Sequence, residues 1–585
     1  MVTVGARPDA VDEPRPAPGG AVVGWIRHAP TALLAAAIAL WLSTLPTLTE
    51  ATAGQYGLLA ADGGMALLVS ALVTIIGFAW AITIHRTALA AVAVVVTLLI
   101  YRVTATVVTE MPLYVWTYKH IGIANYMIDG HASPNVRIYG DWPTFFASMA
   151  WFSSVSGVDS LVLAHWFAPV AAGLVALLVA TLVMCAGFDA RSAVTAAMLA
   201  IIVNWTGQDY YSPQAAALIL ALAVLSLLLY SKQSAAAGYL SLPLLAVLVA
   251  THQLTPFWML VVITALAVIK QIQPRWLPLA FAAILAAYVI PRLGRAASFD
   301  LFSGFNPLKN SVVVAHEQGS GGREFTMLLE RGLFVVLWVL ALVCAIVIWR
   351  RRQNLWGIVV IAFSSLTILA GQDYGGEAII RVFLYSIAGC AALLAVVVSW
   401  ATTLEHRGWR IAGCLVSASI LAVGGAIGLH GYYSGWSYVT ISRAQVEHSR
   451  ELLRATEGRY VIGTLAQNVG WPEGSTAESV RLRLQDPTYD AVFDSLRASL
   501  QHKDFATPHD VALIEEALPR NSRARALYVV LPDQAAAYGE YLGRFPATYV
   551  PSLIELLSQT PQWTRVIDSE DTVVFEYQPA NIRGN

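Results

Sequence analysis

Charged residues are scarce in this sequence. Asp, Glu, Lys and Arg make up 12% of its 585 residues, whereas they make up about a quarter of an ordinary soluble domain. Hydrophobic residues account for 57% of the chain, and the mean hydropathy is +0.61. Because so few charges cannot cover the surface of a soluble protein of this length, the composition predicts a membrane protein with many spans.

Two further absences narrow the function. The formal net charge is −1 and no nucleic-acid-binding motif is present, which excludes an overall basic surface that binds nucleic acid by neutralising phosphates. The few cysteines all lie inside apolar runs, without the spacing of metal ligands, which excludes a disulfide framework. We expect the four cysteines to be packing residues: Cys185, Cys344, Cys390 and Cys414.

Apolar runs near the length that a bilayer requires recur along the chain up to residue 430. They predict an all-α polytopic transmembrane bundle of about thirteen helices within residues 29–435. Residues 1–28, rich in Pro, are predicted to be a disordered cytoplasmic tail. The runs lie near residues 31–48, 64–83, 87–107, 160–186, 190–205, 213–230, 236–250, 255–269, 276–293, 333–349, 354–370, 380–400 and 411–430.

Basic residues mark alternate connections between these runs. The positive-inside rule therefore predicts a multi-pass protein of the plasma membrane with a cytoplasmic N-terminus. With an odd number of spans, the segment from about residue 436 onward then lies outside. The connections that this assigns to the inner side carry Arg27, Arg86, Arg191, Lys232, Lys270, Arg275, Arg350 to Arg352, Arg407 and Arg410.

The same assignment places several polar motifs and arginines on the outer side. Arg102, Arg292, Arg295 and Arg381 lie at outer ends of spans, where the positive-inside rule disfavours them. Guanidinium groups bind phosphate bidentately, so such a cluster suits a phosphate held at the membrane surface. The alternative for Arg381 is a structural ion pair with Glu377, four residues earlier on a helix.

A long outer loop, residues 108–159, carries carboxylates among aromatic residues. Its apolar segments are too interrupted to span a bilayer and are typical of helices that lie in the interface. The loop carries three carboxylates, Glu110, Asp129 and Asp141, and a carboxylate in an external cavity at membrane level can act as a general base toward a sugar hydroxyl. Lys119 and His120 in the same loop are candidates for substrate binding.

Two other outer motifs are open to both a structural and a functional interpretation. In "THQLTPF", Thr255 and Pro256 suit the start of a helix, and His252 is a candidate ligand of phosphate or sugar. In "GQDYYSPQ", Ser212 and Pro213 again suit a helix start.

Other residues of these outer motifs are candidates for ligand binding. In "GQDYYSPQ", Asp209 and Tyr211 are candidates for substrate binding or interface anchoring. A divalent cation beside the phosphate is a further alternative, since Asp373 and Glu377 supply hard oxygen ligands.

These motifs resemble those of the GT-C class of integral membrane glycosyltransferases, and in particular an actinobacterial group of multi-span proteins of that class. The resemblance covers roughly residues 85–435. It is carried by the stretches "YKHIGIANYMIDG", "DWPTFFASMAW", "DYYSPQAAALIL", "THQLTPF" and "YGGEAIIRVFLYSIA".

The resemblance implies a reaction and roles for residues. Enzymes of the class take a sugar from a polyprenyl-phosphate carrier and pass it, usually with inversion, to a glycan, lipid or protein acceptor on the outer face. It implies Glu110 as the first choice for the base and Asp141 as the second, with basic residues holding the lipid phosphate. Many members have an adjacent acidic pair where this chain has Glu110 followed by Met111, so the choice stays open.

The C-terminal region, residues 436–585, differs in composition and is predicted to be an extracytoplasmic α/β domain. Strands are predicted at "RYVIGTL", "ARALYVVL" and "DTVVFEYQ", with helices at residues 489–500, 507–518 and 549–558. No catalytic triad order and no Gly-rich phosphate loop is present in it. We expect it to position the acceptor or contact a partner.

Two other function classes compete with the transferase. A transporter or flippase of lipid-linked sugars would place polar residues near the bilayer midplane and on both faces, whereas charge within these spans is scarce. A non-catalytic partner of another envelope enzyme would keep the lipid and sugar pocket and tolerate loss of the base. Nothing in the motifs separates monophosphate from pyrophosphate carriers.

Overall fold

The computed structural model describes residues 19–135, 137–294, 319–371, 378–455, 460–465, 469–485, 490–492, 503–518 and 526–578. Arg295, Asp373 and Glu377 lie outside these ranges, as does most of the connection 294–330. Helix α1 begins at Gly19, so it reaches into the segment that the sequence assigns to the disordered tail.

All thirteen apolar runs are helical. Among the described residues, eight helices are long and apolar enough to cross a membrane: α1 Gly19–Thr49, α2 Gly64–Thr83, α3 Thr87–Val108, α6 Ser160–Cys185, α8 Pro213–Tyr230, α12 Gly321–Arg350, α14 Ala378–Ala401 and α15 Arg407–Tyr433. Five more apolar helices are shorter: α7 Ala190–Ile202, α9 Ala235–Thr251, α10 Thr255–Val268, α11 Leu277–Arg292 and α13 Trp356–Ala370. At 1.5 Å per residue, helices of 10–17 residues fall short of a hydrocarbon core about 30 Å thick.

Helix α14 forms the centre of the bundle. It packs against α7, α12 and α13, and nearly all of its side chains from Val382 to Val396 are buried. Helix α3 is interrupted by a π-helical turn, Leu99–Val103. The turn shifts the helix register, and Arg102 is buried there in the bundle.

Two short helices of the outer loop, α4 Val115–Ile128 and α5 Thr144–Ser156, pack against each other. As the sequence predicts, neither is long enough to span. Helix α5 exposes Trp151, Phe152 and Val155, the side chains expected on a helix that lies at a membrane surface.

The C-terminal region is an α/β domain, as predicted. Its five strands are β1 Tyr460–Thr464, β2 Asp490–Val492, β3 Ala526–Pro532, β4 Trp563–Asp568 and β5 Thr572–Tyr577. They form one mixed sheet in the order β2-β1-β3-β5-β4, parallel for β1 with β2 and β3, antiparallel for β5 with β3 and β4. The helices are α16 Arg443–Ala455, α17 Ala477–Gln485, α18 Pro508–Ala517, α19 Asp533–Tyr541 and α20 Tyr549–Gln559.

Three of these strands and two helices match the sequence predictions, and one predicted helix differs at the three of its residues that the structure describes. Of the helix expected over residues 489–500, the structure describes residues 490–492, which form strand β2 and pair with β1; the other residues of that prediction lie outside the described ranges. Pairing with a neighbouring strand decides the conformation there, because three residues carry too little periodicity to show it in the sequence. Strand β4 was not predicted, since its exposed edge carries polar side chains such as Arg565.

The basic connections gather at one end of the bundle, here called the basic end. Arg86 Nη1 donates to the Arg27 carbonyl (2.8 Å), and Arg191 Nη1 contacts His85 Nδ1 (2.7 Å) and Thr402 Oγ1 (3.3 Å). The opposite end, here called the loop end, carries the outer loop, residues 108–159, and the C-terminal domain. The structure thus separates the two sets of connections, and their orientation across the membrane stays a prediction.

Candidate functional site

The carboxylate of Asp141 is buried at the loop end beside Arg292. Asp141 is 3% exposed, and its Oδ1 lies 3.9 Å from Arg292 Nε. Tyr288 joins the two: its hydroxyl donates to the Asp141 carbonyl (2.7 Å), and the Arg292 guanidinium lies over its ring, 3.9 Å from the centroid. Tyr288 and Arg292 are four residues apart on α11, so they share one face of that helix.

A second buried group joins His252, Arg381 and Tyr385. The ring Nδ1 of His252 accepts from the Thr255 N–H (3.2 Å) and lies 2.9 Å from Thr255 Oγ1, which contacts the Tyr385 hydroxyl at 2.7 Å. Since a backbone N–H donates to Nδ1, the neutral ring carries its proton on Nε2. Burial and the nearby charge of Arg381 together hold the pKa of His252 well below its usual value.

The start of α10 differs from the sequence prediction in that Thr255 is the first residue of the helix and not its cap. Thr255 begins the helix, Pro256 occupies its first turn, and the residue before them, Leu254, makes no side-chain cap. The ring nitrogen of His252 accepts from the N–H groups of Leu254 and Thr255 in place of a hydroxyl cap. His252 therefore has a structural role as well as its position beside Arg381.

Asp209 forms an ion pair inside the bundle. Arg102 Nε lies 2.6 Å from Asp209 Oδ2, and the two side chains are 1% and 8% exposed. The guanidinium also donates to the carbonyls of Asn204 (2.6 Å) and Tyr101 (3.1 Å) and lies 3.7 Å from the centroid of the Tyr432 ring. Arg102 is one of the arginines that the positive-inside rule disfavours at an outer end of a span. Its counterion, Asp209, lies within the protein.

His120 and Tyr211 meet in an aromatic cluster under the outer loop. His120 Nδ1 lies 2.8 Å from the Tyr211 carbonyl, and burial lowers the pKa of His120 to about 4. The Tyr211 ring packs edge-on against Phe145 and Phe167. Among the described residues its buried hydroxyl has no hydrogen-bond partner.

Lys119 is also buried, where the loop meets the C-terminal domain. Its Nζ lies 4.7 Å from the Trp116 ring centroid, and its side chain faces Gly474. Next to it, Gly122 packs so closely on Gly474 that an added Cβ would lie 1.7 Å from the Gly474 carbonyl oxygen. Asn125 Nδ2 donates to the Ser475 carbonyl (2.9 Å), so the C-terminal domain is held directly against α4.

Glu110 differs from Asp141 in its surroundings. Its side chain is 65% exposed, and its Oε2 lies 3.7 Å from Arg443 Nε at the start of α16. The structure brings Asp141 together with a sequence-predicted arginine, Arg292, whereas the ion-pair partner of Glu110 among the described residues is Arg443. Glu110 therefore lies at the junction with the C-terminal domain.

The structure groups candidate residues in three sets on neighbouring elements: Asp141 with Arg292, His252 with Arg381, and Asp209 with Arg102. His252 precedes α10, which packs on α11, the helix that carries Arg292. Ser212 caps α8, as predicted, by accepting from the Ala215 N–H (3.3 Å), which fixes Asp209 and Tyr211 just before that helix. Three or more His, Cys, Asp or Glu side chains do not converge on a metal position anywhere in the described ranges.

Sequence reasoning missed the tyrosines that complete these sets. Tyr288 lies four residues before Arg292, and Tyr385 lies four residues after Arg381. This spacing places each tyrosine on the same helix face as its arginine and could have identified both. Tyr432 on α15 is more than 300 residues from Arg102 in sequence, so only the fold reveals that contact.

No protein-family model and no curated protein matches this sequence. Among solved structures, the chain is similar to ArnT from Cupriavidus metallidurans bound to undecaprenyl phosphate, with 12% identity and a TM-score of 0.45 over 84% of this chain and 98% of that one. The same protein in the apo state matches with 13% identity and a TM-score of 0.44, over 83% and 97% of the two chains.

An oligosaccharyltransferase from Archaeoglobus fulgidus, in complex with Zn and sulfate, matches with 14% identity and a TM-score of 0.45, over 76% of this chain and 67% of that one. At TM-scores below 0.5 the likeness assigns no activity to this chain.

Proposed function

We propose that this protein transfers a sugar from a polyprenyl-phosphate-linked donor to a glycan, lipid or protein acceptor at the outer face of the plasma membrane. The observation that carries the proposal is a group of side chains at the loop end: His252 contacts Thr255, which contacts Tyr385, one helical turn after Arg381 on α14. This group lies next to the helix that holds Arg292 against Asp141. Arg381 and His252 can hold a phosphate, and Asp141 offers a carboxylate.

In this proposal Arg381 binds the lipid phosphate. It is 5% exposed and lies in the first turn of α14. A buried guanidinium remains charged and can present two parallel N–H groups to phosphate oxygens. His252, whose Nε2 carries the ring proton, supplies a neutral donor beside it. In this proposal the lipid phosphate approaches the group from the outer leaflet, on the side of the loop end.

Asp141 then serves as the general base, and the reaction inverts the anomeric carbon. The acceptor hydroxyl attacks that carbon, its proton passes to the Asp141 carboxylate, and the bond to the carrier phosphate breaks, so polyprenyl phosphate leaves. Asp141 is preferred to Glu110 as the base because its carboxylate is buried beside Arg292. Glu110 is exposed near the C-terminal domain, where it suits a contact with the acceptor. Such a base must come within about 3 Å of the hydroxyl.

The proposal is tested with purified full-length protein in nanodiscs. A panel of polyprenyl-phosphate and polyprenyl-pyrophosphate sugars carrying labelled sugar is supplied with envelope acceptors, and transfer and product anomer are measured. We expect transfer with inversion from a monophosphate donor, and a rise in donor KM of at least about tenfold in Arg381→Ala, the loss expected when a charged hydrogen bond is removed.

Arg443→Gln is the matched control, because Arg443 is an exposed arginine at the same end, and it should change the donor KM less than twofold. Binding of the carrier lipid without transfer from any donor would contradict the proposal and favour a flippase or a non-catalytic partner. Equal donor KM values for Arg381→Ala and wild type would contradict the role of Arg381.

A further inference from the structure

A polar pocket lies at the basic end, away from all the residues of the proposed reaction. It encloses about 170 Å³, roughly the volume of five or six water molecules. It lies where α6 and α8 end and where α13 begins, beside the connections that follow α10 and α12. The residues that line it are Cys185, Ala186, Leu229, Lys232, Gln233, Gln271, Asn354, Gly357 and Ile358.

Hydrogen bonds fix the orientation of the buried amide in this pocket. Gln271 is 8% exposed, and its Oε1 accepts from Lys232 Nζ (3.2 Å) and from Asn354 Nδ2 (3.0 Å). Because an ammonium group can only donate, the atom between these two must be the amide oxygen. The amide nitrogen of Gln271 therefore remains as a donor, and it has no partner among the described residues.

The lining favours an anion. No carboxylate is among the described residues around the pocket, whereas Lys232 carries a positive charge. Gly357 lies in the first turn of α13, whose preceding residue Leu355 provides no side-chain cap, so helical N–H groups there remain available to an acceptor. Asn354 lies two residues after Arg352, the last residue of a basic stretch.

The position of the pocket favours a phosphate that is attached to a lipid. Its walls are the ends of apolar helices long enough to span a membrane, so it opens at headgroup level. The basic connections around it attract anionic headgroups. A soluble phosphate would have the same recognition chemistry but no apolar chain to lie along these helices.

We propose that this pocket binds the phosphate of an anionic phospholipid at the basic end of the bundle. Lys232 neutralises the phosphate, while the amide nitrogen of Gln271 and the first turn of α13 donate to its oxygens. The site is separate from the donor phosphate site at Arg381, and it does not depend on the proposed reaction.

The test uses Cys185, which lines the pocket, as a reporter. Purified full-length protein in phosphatidylcholine nanodiscs is treated with a small maleimide, and alkylation of Cys185 is followed by peptide mass spectrometry as phosphatidylglycerol is increased. We expect phosphatidylglycerol to slow alkylation several-fold in the wild type, and thermal stability to rise over the same range. Lys232→Gln should need about fivefold more phosphatidylglycerol, since one lysine near a membrane surface contributes about 1 kcal/mol, and Lys232→Arg should restore binding.

Arg275→Gln is the matched control, because it removes one exposed charge of the basic end without touching the pocket. An equal weakening in Arg275→Gln and Lys232→Gln would overturn the proposal in favour of diffuse surface attraction. If inorganic phosphate slowed alkylation of Cys185 at the same concentration as the lipid, the ligand would be a soluble phosphate, and the proposal of a lipid phosphate would be overturned. Absence of any phosphatidylglycerol effect on alkylation and stability in the wild type would overturn the site itself.

Discussion

Replacing Asp209 by Asn removes the carboxylate that neutralises Arg102 inside the bundle. Breaking a buried ion pair by removing one partner costs about 3 to 5 kcal/mol, because the remaining charge stays buried without compensation. The guanidinium keeps two carbonyl acceptors and the face of the Tyr432 ring. We therefore expect Asp209→Asn to lower the free energy of unfolding by about 3 kcal/mol, the lower end of that range.

A double-mutant cycle isolates this pair. Denaturant titration in detergent would compare Asp209→Asn, Arg102→Met and the double variant. The double variant should be more stable than the sum of the single losses by about 2 kcal/mol, since it contains no unpaired charge. The matched control is Asp568→Asn, which breaks the exposed pair with Arg565 (2.7 Å) and should cost less than about 1 kcal/mol.

The result that would refute this reasoning is a loss in Asp209→Asn no larger than in Asp568→Asn. A variant of Asp209 that kept full stability but lost donor affinity would assign the carboxylate to the substrate site, the role that the sequence suggested. The stability measurement and the donor affinity therefore separate the two interpretations of the same residue.

Three further predictions concern the loop end. The His120→Asn side chain keeps a donor for the Tyr211 carbonyl but does not titrate. The pKa of His120 is about 4 in the folded protein and about 6.5 in the unfolded chain. Between these two pH values the unfolded state therefore binds one more proton than the folded state. The wild type should lose up to about 3 kcal/mol of stability as pH falls from about 6.5 to 4, and the variant should lose less in denaturant titrations over that window. Gly122→Ala should cost about 1 to 3 kcal/mol and increase proteolysis of the C-terminal domain, whereas Gly332→Ala, with open space around it, should be neutral in both assays. Arg292→Gln should lower kcat in the transfer assay more than it raises the donor KM, because Arg292 lies beside the Asp141 carboxylate. An unchanged kcat would remove Arg292 from the site of the base.

The sequence predicts the bundle well because apolar length and basic connections are local features. Each of the thirteen runs is helical, and the contacts of Arg86 and Arg191 gather the basic connections at one end. Five helices are shorter than a full span. Connections between the helices, such as the one that contains "THQ" before α10, take up residues at the membrane surface. Strand β2 shows the limit of periodicity, since its conformation depends on pairing with β1.

The site was predictable in its residue types and less so in its pairings. Arg292 and Asp141 were singled out separately, and the fold brings them together across about 150 residues of sequence. Arg102 and Asp209 were both noticed, but only the structure shows that they neutralise each other. The preference between Glu110 and Asp141 depends on burial, which a loop sequence with mixed aromatic and polar residues does not reveal.

Turnover of the carboxylate variants tests the central proposal most directly. Labelled sugar transfer would be measured for Asp141→Asn, Glu110→Gln and the exposed-loop control Asp129→Asn, together with binding of the donor lipid. The account predicts that Asp141→Asn loses at least about 10²-fold in kcat, the usual contribution of a general base, while it binds the donor like the wild type and the other two variants retain turnover. Full turnover in Asp141→Asn, or a loss confined to Glu110→Gln, would contradict the assignment of the base to the buried carboxylate.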